Sequence, residues 1–385
     1  MDDPSLALEC LLSVEEIPKN VKWSPDGTCL LTATEKKRLL LMELPNSVIE
    51  SLQKKSGRIA NGSPPVVWKS ILEYAEAESI RDYAWYPGMN SNDTATCCFV
   101  SCARDQPLHL WDAYTGNLRA SYAAWKTTDE IDGAVSLAFS QDGTKLYTGS
   151  ESAVRLFYTA EPGKNCFVRK TRSKRQSKDG QHGLIGALAT WGHYLYAAGS
   201  YKGSVGLYDD RIDPEQGAVL LFPSQLFKSH GVTALQFNSS GFCLFVGTRA
   251  ERPQAYIRIF DLRRIDDFEQ ECLRLPRQAG SNQRLGFHLF HDDHTFATAT
   301  DNKGVALFHL DNFDFKISSH VQAKEHDVVN GCHFHPQLPL LATALGQHRF
   351  LQHKYDIFPR NALHVWHIPP SSYFSSPRTA SSISI

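Results

Sequence analysis

Short runs in which apolar and polar residues alternate recur along the whole chain. Residues 108–112 read LHLWD, in which two apolar positions are followed by an aromatic residue and an aspartate. Six other runs repeat this pattern and read LLLME, VRLFY, VGLYD, IRIFD, VALFH and LHVWH. The anchor positions of the seven runs are Met42, Trp111, Phe157, Tyr208, Phe260, Phe308 and Trp366. Because side chains alternate with a period of two along a strand, each run predicts a β-strand.

Two further alternating runs precede each anchor. In the third copy they are VSLAF and KLYTG, and the intervening SQDGT suits a tight hairpin turn. Successive anchors lie 69, 46, 51, 52, 48 and 58 residues apart, by subtraction of their numbers. A period near ~40–45 residues, lengthened by insertions, is typical of WD-repeat blades with four strands each. The sequence therefore predicts an all-β fold, a seven-bladed WD-repeat β-propeller over residues 1–370.

The ends of the chain and three insertions complete this prediction. The N-terminal run LALECLLSV is expected to pair beside LHVWHI of the last blade and so close the ring without an open sheet edge. Residues 371–385 are Ser-rich and predict a disordered tail. Insertions are expected at 46–65 between blades one and two, at 159–182 between blades three and four, and at 345–361 within the last blade.

Composition narrows the class of protein. The chain has 385 residues, 42% hydrophobic and 21% charged, with a net charge of −1, so it is globular and its overall charge identifies no partner. Nine cysteines without a CxxC pair favour a reducing compartment, the cytosol or nucleus, over a disulfide or zinc framework. No basic leader and no apolar run of about 18 residues is present, so no membrane association is expected. No catalytic order of residues or cofactor motif emerges, and neither an enzyme nor a bound cofactor is predicted.

A basic segment and several histidines are the first candidate sites. The segment KNCFVRKTRSKRQSKDGQHG fits contact with RNA phosphates, a nuclear-import signal or a solvated loop. Its candidate residues are Arg169, Lys170, Arg172, Lys174, Arg175 and Lys178. The histidines of HLFHDDH and HFH follow strand and turn alternation, so no metal site is predicted. His230 and His326 precede first strands and are expected to brace their blades through buried hydrogen bonds.

The loops on one rim of the propeller provide a second set. Loops that lead into each first strand, and loops between second and third strands, emerge on the same rim. The guanidinium groups of arginines on this rim suit contact with phosphates, and the flat ring of a tyrosine suits stacking of an unpaired base. Nearby acids also allow ordinary surface charge, which the residues alone favour. The candidates for RNA binding are Arg81, Arg104, Tyr201, Lys202, Arg249, Arg284, Lys303 and Arg349.

Several stretches are more specific than the repeat. They read RDYAWY (81–86), CARDQPLHLWDAYTGNLRASY (102–122), GSYKGSVGLYD (199–209), SNQRLGF (281–287) and HPQLPLLATALGQHRF (335–350). In this order they resemble the telomerase Cajal body protein family of WD-repeat scaffolds, from about Val21 to Trp366. The resemblance implies a non-enzymatic RNA-binding scaffold that recognises the CAB box of small Cajal-body RNAs of the H/ACA class, with telomerase RNA as a further candidate.

The resemblance also implies partners and a location. The protein would be a monomer that binds H/ACA ribonucleoproteins, including their proteins, and directs them to Cajal bodies in the nucleus. The alternative from a different class is a generic WD-repeat adaptor that binds peptides on the propeller rim, because propeller rims often do so and a fold alone does not determine function.

Overall fold

Seven sheets, six of them wholly antiparallel, form the blades of the protein in the described residues. The computed structural model describes residues 5–13, 15–53, 65–126, 128–172, 180–222, 224–227, 230–249, 255–264, 272–280, 283–302, 304–310, 317–325, 327–347 and 361–368. Each sheet is built from strands close in sequence, apart from the last blade, which also takes strands from the N-terminal region. The predicted fold class, an all-β propeller of seven blades, is confirmed.

The first two blades and the N-terminal strand come from residues 5–122. Their elements are β1 (Ser5–Leu11), β2 (Pro18–Trp23), β3 (Cys29–Thr34), β4 (Arg38–Glu43), α1 (Asn46–Gln53), β5 (Val66–Val67), β6 (Leu72–Ala75), β7 (Ile80–Trp85), β8 (Cys98–Ala103), β9 (Leu108–Asp112) and β10 (Leu118–Tyr122). Blade 1 has the order β2-β3-β4-β6, and blade 2 runs from β7 at the axis to β10 outside. No helix among the described residues is long and apolar enough to cross a membrane.

Blades 3 to 5 follow in chain order. Their strands are β11 (Ser136–Phe139), β12 (Lys145–Ser150), β13 (Ala153–Tyr158), β14 (Phe167–Lys170), β15 (Ile185–Trp191), β16 (Leu195–Ser200), β17 (Ser204–Asp209), β18 (Leu220–Phe222), β19 (Val232–Phe237), β20 (Cys243–Thr248), β21 (Ala255–Asp261) and β22 (Leu273–Arg277). Short 3₁₀ turns lie at Pro214–Gln216 and Ser224–Phe227. Each of these blades is a four-stranded meander.

Blades 6 and 7 complete the ring. Their strands are β23 (Phe287–Leu289), β24 (Thr295–Thr300), β25 (Gly304–Leu310), β26 (Ile317–Lys324), β27 (Val329–Phe334), β28 (Leu340–Leu345) and β29 (Ala362–His367). All seven predicted anchors lie on the third strand of their blades. The second strands β8, β20, β24 and β28 are buried at every residue, because both of their faces pack against neighbouring blades.

The N-terminal strand closes the ring, as predicted. β1 pairs antiparallel with β29, with Leu8 opposite Val365 and Cys10 opposite Leu363. Leu8, Leu363 and Val365 are fully buried in one apolar cluster, so closure also extends the core. The propeller limits of 1–370 stay a prediction, and the predicted tail at 371–385 lies outside the described residues.

Two of the predicted insertions are placed differently. An insertion at 46–65 was expected between blades 1 and 2, but α1 follows β4, the third strand of blade 1, and the fourth strand of that blade, β6, comes only after it in the chain. The segment ends at β5, which pairs parallel with β1 and adds a fifth strand to blade 7. The segment 159–182 contains β14, the outer strand of blade 3. The sequence analysis did not locate the outer strands β6 and β14. Both strands are short and mostly exposed, so their apolar pattern is weak.

Buried glutamates brace two of the blades. In blade 2, Glu76 accepts hydrogen bonds from the Ser101 hydroxyl and the Trp111 indole N–H, and its other oxygen lies 2.8 Å from His109 Nδ1. In blade 7, Glu325 accepts from Thr343 Oγ1 at 2.9 Å and from Trp366 Nε1 at 2.7 Å, and lies 2.9 Å from His364 Nδ1. His326 lies outside the described residues, so the bracing role expected of it stays a prediction. The expected role of His230 stays a prediction.

Two histidines stack near the propeller axis. The rings of His288 on β23 and His333 on β27 have centroids 3.8 Å apart and planes 27° apart. Nδ1 of His288 accepts a hydrogen bond from the Phe334 N–H at 3.2 Å, which requires an unprotonated nitrogen. Desolvation, helped by His291, lowers the pKa of His288 to about 3. Desolvation, with His288 and Lys22 adding to it, also holds the pKa of His333 well below its usual value.

Acid should therefore destabilise the protein through this pair. Below about pH 6.5 the unfolded histidines bind protons that the folded ones do not, so the free energy of unfolding falls as pH drops from 6.5 towards the folded pKa values. Each histidine can contribute up to about 1.4 kcal/mol per pH unit in that window. Urea unfolding at several pH values would measure the slope. A His288→Asn, His333→Asn double variant should show a shallower slope, and equal slopes would contradict the assignment.

Candidate nucleic-acid interface

All seven blades contribute to a cavity at one mouth of the central channel. Its volume is about 780 Å³, and its walls come from the starts of the first strands and from turns between second and third strands. Five cationic side chains and two carboxylates line it, namely Lys19, Lys22, Arg81, Arg249, Arg284, Glu35 and Asp82. We call this opening the basic mouth. Its lining brings together Arg81, Tyr201, Arg249 and Arg284 of the predicted set.

Arg284 ties blade 6 to blades 5 and 2. Its Nε donates to the Thr233 carbonyl at 2.9 Å, and Nη1 donates to the Arg81 carbonyl at 3.4 Å. Nη2 lies 3.7 Å from Asp82, which also pairs with Lys22 Nζ at 3.2 Å. Burial alone would raise the pKa of Asp82, but the charges of Lys22 and Arg284 hold it below its usual value. Arg284 therefore positions the strand that carries Arg81.

Lys19 is a cation of the basic mouth that the sequence analysis missed. Its Nζ donates to Ser79 Oγ and to the Ile80 carbonyl, both at 2.9 Å, and lies 3.3 Å from Glu35. Burial lowers the pKa of Lys19, Glu35 opposes that shift, and the nearby charge of Arg81 adds to it. The Arg81 side chain itself is exposed, so its guanidinium faces solvent at the opening.

Tyr201 and Arg249 form a stacked pair. The Arg249 guanidinium carbon lies 4.8 Å from the centre of the Tyr201 ring. That ring packs against the backbone of Gly186, where any Cβ would overlap it, so a glycine is needed on β15. Arg249 Nε is buried and has no hydrogen-bond partner. The pair presents a planar surface beside the cavity, of the kind on which a nucleobase stacks.

The other predicted rim residues surround the opening. Arg104, in the turn between β8 and β9, is 62% exposed and pairs with Asp105 at 3.3 Å. Lys202 is exposed in the turn between β16 and β17. Neither side chain lines the cavity, so each would act only on a ligand that extends beyond it. Lys303 and Arg349 lie outside the described residues.

Arg169 of the basic segment does not face solvent. Its side chain is buried, and its guanidinium donates to the carbonyls of Asp209, Ile212, Asp213 and Gly217 in blade 4. A phosphate cannot reach it there, because Arg169 alternates inward on β14. Lys170, the next residue, is exposed, and Arg172 lies 3.4 Å from His182. Lys174, Arg175 and Lys178 lie outside the described residues.

Side-chain amides add polar groups to the basic mouth. Asn330 donates from Nδ2 to the carbonyls of Pro18 and Gly346, both at 2.8 Å, and so links blades 1 and 7. Gln283 and Gln347 also line the cavity. Of these three, Gln283 and Gln347 lie in stretches that the sequence analysis singled out, SNQRLGF and HPQLPLLATALGQHRF. Within the described ranges, no group of three or more His, Cys, Asp or Glu side chains is arranged to hold a metal ion.

Several known proteins with similar sequences share one name. Telomerase Cajal body protein 1 of Bos taurus is 35% identical over 351 residues, which cover 89% of this chain and 60% of that protein. The Homo sapiens protein of that name is 36% identical over 346 residues, covering 87% and 58%. A homolog from Drosophila melanogaster is 28% identical over 337 residues, covering 86% and 57%. No protein-family model matches the chain.

The ring of seven meanders and its charged mouth define a WD-repeat β-propeller, a class of binding scaffold. The chain belongs to the telomerase Cajal body protein family. It spans about 60% of the length of the first of these curated relatives. The predicted family is confirmed. The predicted localisation to nuclear Cajal bodies agrees with the name that these relatives share.

Proposed function

We propose that the protein is a non-enzymatic scaffold that recognises the CAB box of small Cajal-body RNAs of the H/ACA class, with telomerase RNA as a further ligand. In this role it directs the ribonucleoprotein, with its proteins, to Cajal bodies. The basic mouth is the observation that carries the proposal, because its cations outnumber its carboxylates and a stacked Tyr–Arg pair lies beside them. The printed names of the relatives support it.

The geometry favours an unpaired loop over a duplex. A-form RNA hides its base edges in a deep, narrow groove, whereas a splayed loop exposes base faces and edges. One base fits against the plane of Tyr201, while Arg81, Arg104 and Lys202 attract flanking phosphates. Arg284 acts by holding the Arg81 backbone. The exposed cations of the basic segment, Lys170 foremost among the described ones, add attraction that weakens with salt.

Direct binding tests this proposal. Purified protein is titrated with a labelled RNA hairpin whose loop carries a CAB box, and with the same hairpin in which only the box is changed. We expect the first to bind at least about tenfold more tightly at about 150 mM salt, since base contacts survive screening better than phosphate contacts do. Equal affinities would overturn the proposal. A cellular pull-down that recovers only proteins, unaffected by nuclease, would instead support the peptide-adaptor alternative.

A further inference from the structure

The opposite mouth of the channel holds a second cavity. Its volume is about 530 Å³, and all seven blades contribute to its walls. Aromatic rings dominate those walls, namely Trp85, Trp191, Phe237, Phe290 and Phe334, together with the His288–His333 stack. Cavities of this size whose walls are largely aromatic are typical of sites that take an apolar side chain or a small ligand.

The rim of this cavity is fixed before any ligand arrives. It consists of the turns between first and second strands, and hydrogen bonds link these turns from blade to blade. Gly192 N donates to Gln141 Oε1 at 3.0 Å, and Trp191 Nε1 donates to the Ser239 carbonyl at 3.2 Å. Ser239 N in turn donates to Asp293 Oδ1 at 2.8 Å. A rim held in this way loses little conformational entropy on binding.

The same rim is acidic. The seven turns, residues 24–28, 86–97, 140–144, 191–194, 238–242, 290–294 and 335–339, contain five aspartates and no lysine or arginine. The aspartates are Asp26, Asp93, Asp142, Asp292 and Asp293. We call this opening the acidic mouth.

Neutral groups hold most of these carboxylates. Asp26 accepts from the Thr28 and Ser91 N–H groups and the Ser24 hydroxyl, and Asp292 accepts from the backbone and hydroxyl of Thr295. Burial alone would raise the pKa of Asp26, but these hydrogen bonds lower it, so it stays ionised. Because neutral donors cancel no charge, these carboxylates keep their negative charge at the rim. The cations at this end are paired with other carboxylates: Lys22 in the cavity wall pairs with Asp82, and Lys145 and Arg211, which pack over Tyr194, pair with Asp210 and Asp209.

A residue of the cavity wall carries a buried, unpaired donor. Trp23 is 2% exposed, lines the cavity, and its indole Nε1 has no hydrogen-bond partner. An unpaired buried donor is costly, so an acceptor from a ligand would stabilise it. A peptide supplies such an acceptor in every backbone carbonyl.

We propose that the acidic mouth docks a basic peptide segment of a partner protein, which inserts an apolar or aromatic side chain into the 530 Å³ cavity. Arginine or lysine residues on either side of that anchor meet the rim aspartates. The carboxylates repel RNA, so the two mouths select ligands of opposite charge. This inference concerns a different surface from the basic mouth, and it stands whether or not that mouth binds RNA.

Fluorescence anisotropy with a designed probe tests the proposal. The probe is a fluorescein-labelled pentapeptide with one phenylalanine between two pairs of arginines. One control peptide carries serine in place of the phenylalanine, and another carries glutamates in place of the arginines. We expect the serine peptide to bind at least about tenfold more weakly, because it leaves the cavity empty, and the glutamate peptide not to bind.

Charge variants at His291 assign the binding to this mouth. His291 is exposed on the rim and lines the cavity. His291→Glu should tighten binding of the arginine–phenylalanine probe about threefold, and His291→Lys should weaken it by a similar factor. Lys36→Ala, in the turn between β3 and β4 at the end of the propeller that holds the basic mouth, should leave it unchanged. Equal affinities for the two His291 variants, equal binding of the three peptides, or displacement of the probe by a short RNA would each overturn the proposal.

Discussion

Replacing Glu325 by alanine is expected to lower the free energy of unfolding by about 3–5 kcal/mol. Its side chain is 1% exposed, and its two oxygens meet Thr343, Trp366 and His364. The variant leaves three buried polar groups without their acceptor, and each unmade hydrogen bond costs about 1–3 kcal/mol. Since His364 also lies 3.3 Å from Glu9 on β1, the loss weakens the seam that closes the ring. Urea unfolding followed by tryptophan fluorescence measures the effect.

Matched variants distinguish the loss of the Glu325 hydrogen bonds from the effect of removing any carboxylate. Glu76→Ala removes the equivalent carboxylate of blade 2 and should cost a similar amount, although it lies far from the closing seam. Glu325→Gln keeps the shape of the side chain and should cost less than Glu325→Ala. Glu78→Ala changes a carboxylate that is 44% exposed and paired with Lys37, and its effect should stay within about 0.5 kcal/mol. A Glu325→Ala protein as stable as Glu78→Ala would refute the bracing role.

The seven repeated blades could be predicted because their buried strands carry a clear alternation of apolar and polar residues. The third strands carry an aromatic or methionine anchor that packs between blades, so their alternation stands out from the sequence. The outer strands face water on one side. β14 exposes Phe167 and Val168, and β5 is only two residues long, so neither gives a clear period-two signal. Their pairing with β13 and β1 is decided by tertiary contacts.

The site was predictable only in part, for a related reason. Residue type indicates that an arginine can bind phosphate, but strand parity decides which way it points. Arg169 and Lys170 are adjacent, yet one is buried under four carbonyls and the other is exposed. A shift of one residue in the expected strand would exchange them. Glu76 and Glu325 were missed because bracing was expected from histidine, although the shared H-x-W of LHLWD and LHVWH was a usable signal.

The largest effect on ligand binding is expected at the basic mouth. An Arg81→Ala, Arg104→Ala double variant should bind the CAB-box hairpin about 10- to 100-fold more weakly at about 150 mM salt, since two exposed guanidinium groups leave the phosphate path. Each lost phosphate contact should also reduce the slope of log affinity against log salt by about 0.7. Tyr201→Ala should weaken binding by about 1–3 kcal/mol through lost stacking, with the slope unchanged.

The reduced salt slope of the arginine variant and the unchanged slope of Tyr201→Ala together test whether the basic mouth binds RNA. Tyr201→Phe keeps the ring and should bind like the unaltered protein. Arg211→Ala removes a cation that packs over Tyr194, in the turn between β15 and β16 at the opposite end of the propeller, and should change neither affinity nor slope. If Arg211→Ala weakens binding as much as the double variant does, the attraction is diffuse and the basic mouth is not the interface. If Tyr201→Ala lowers the salt slope, the ring holds a phosphate-binding cation in place and does not stack on a base, because stacking releases no counterions.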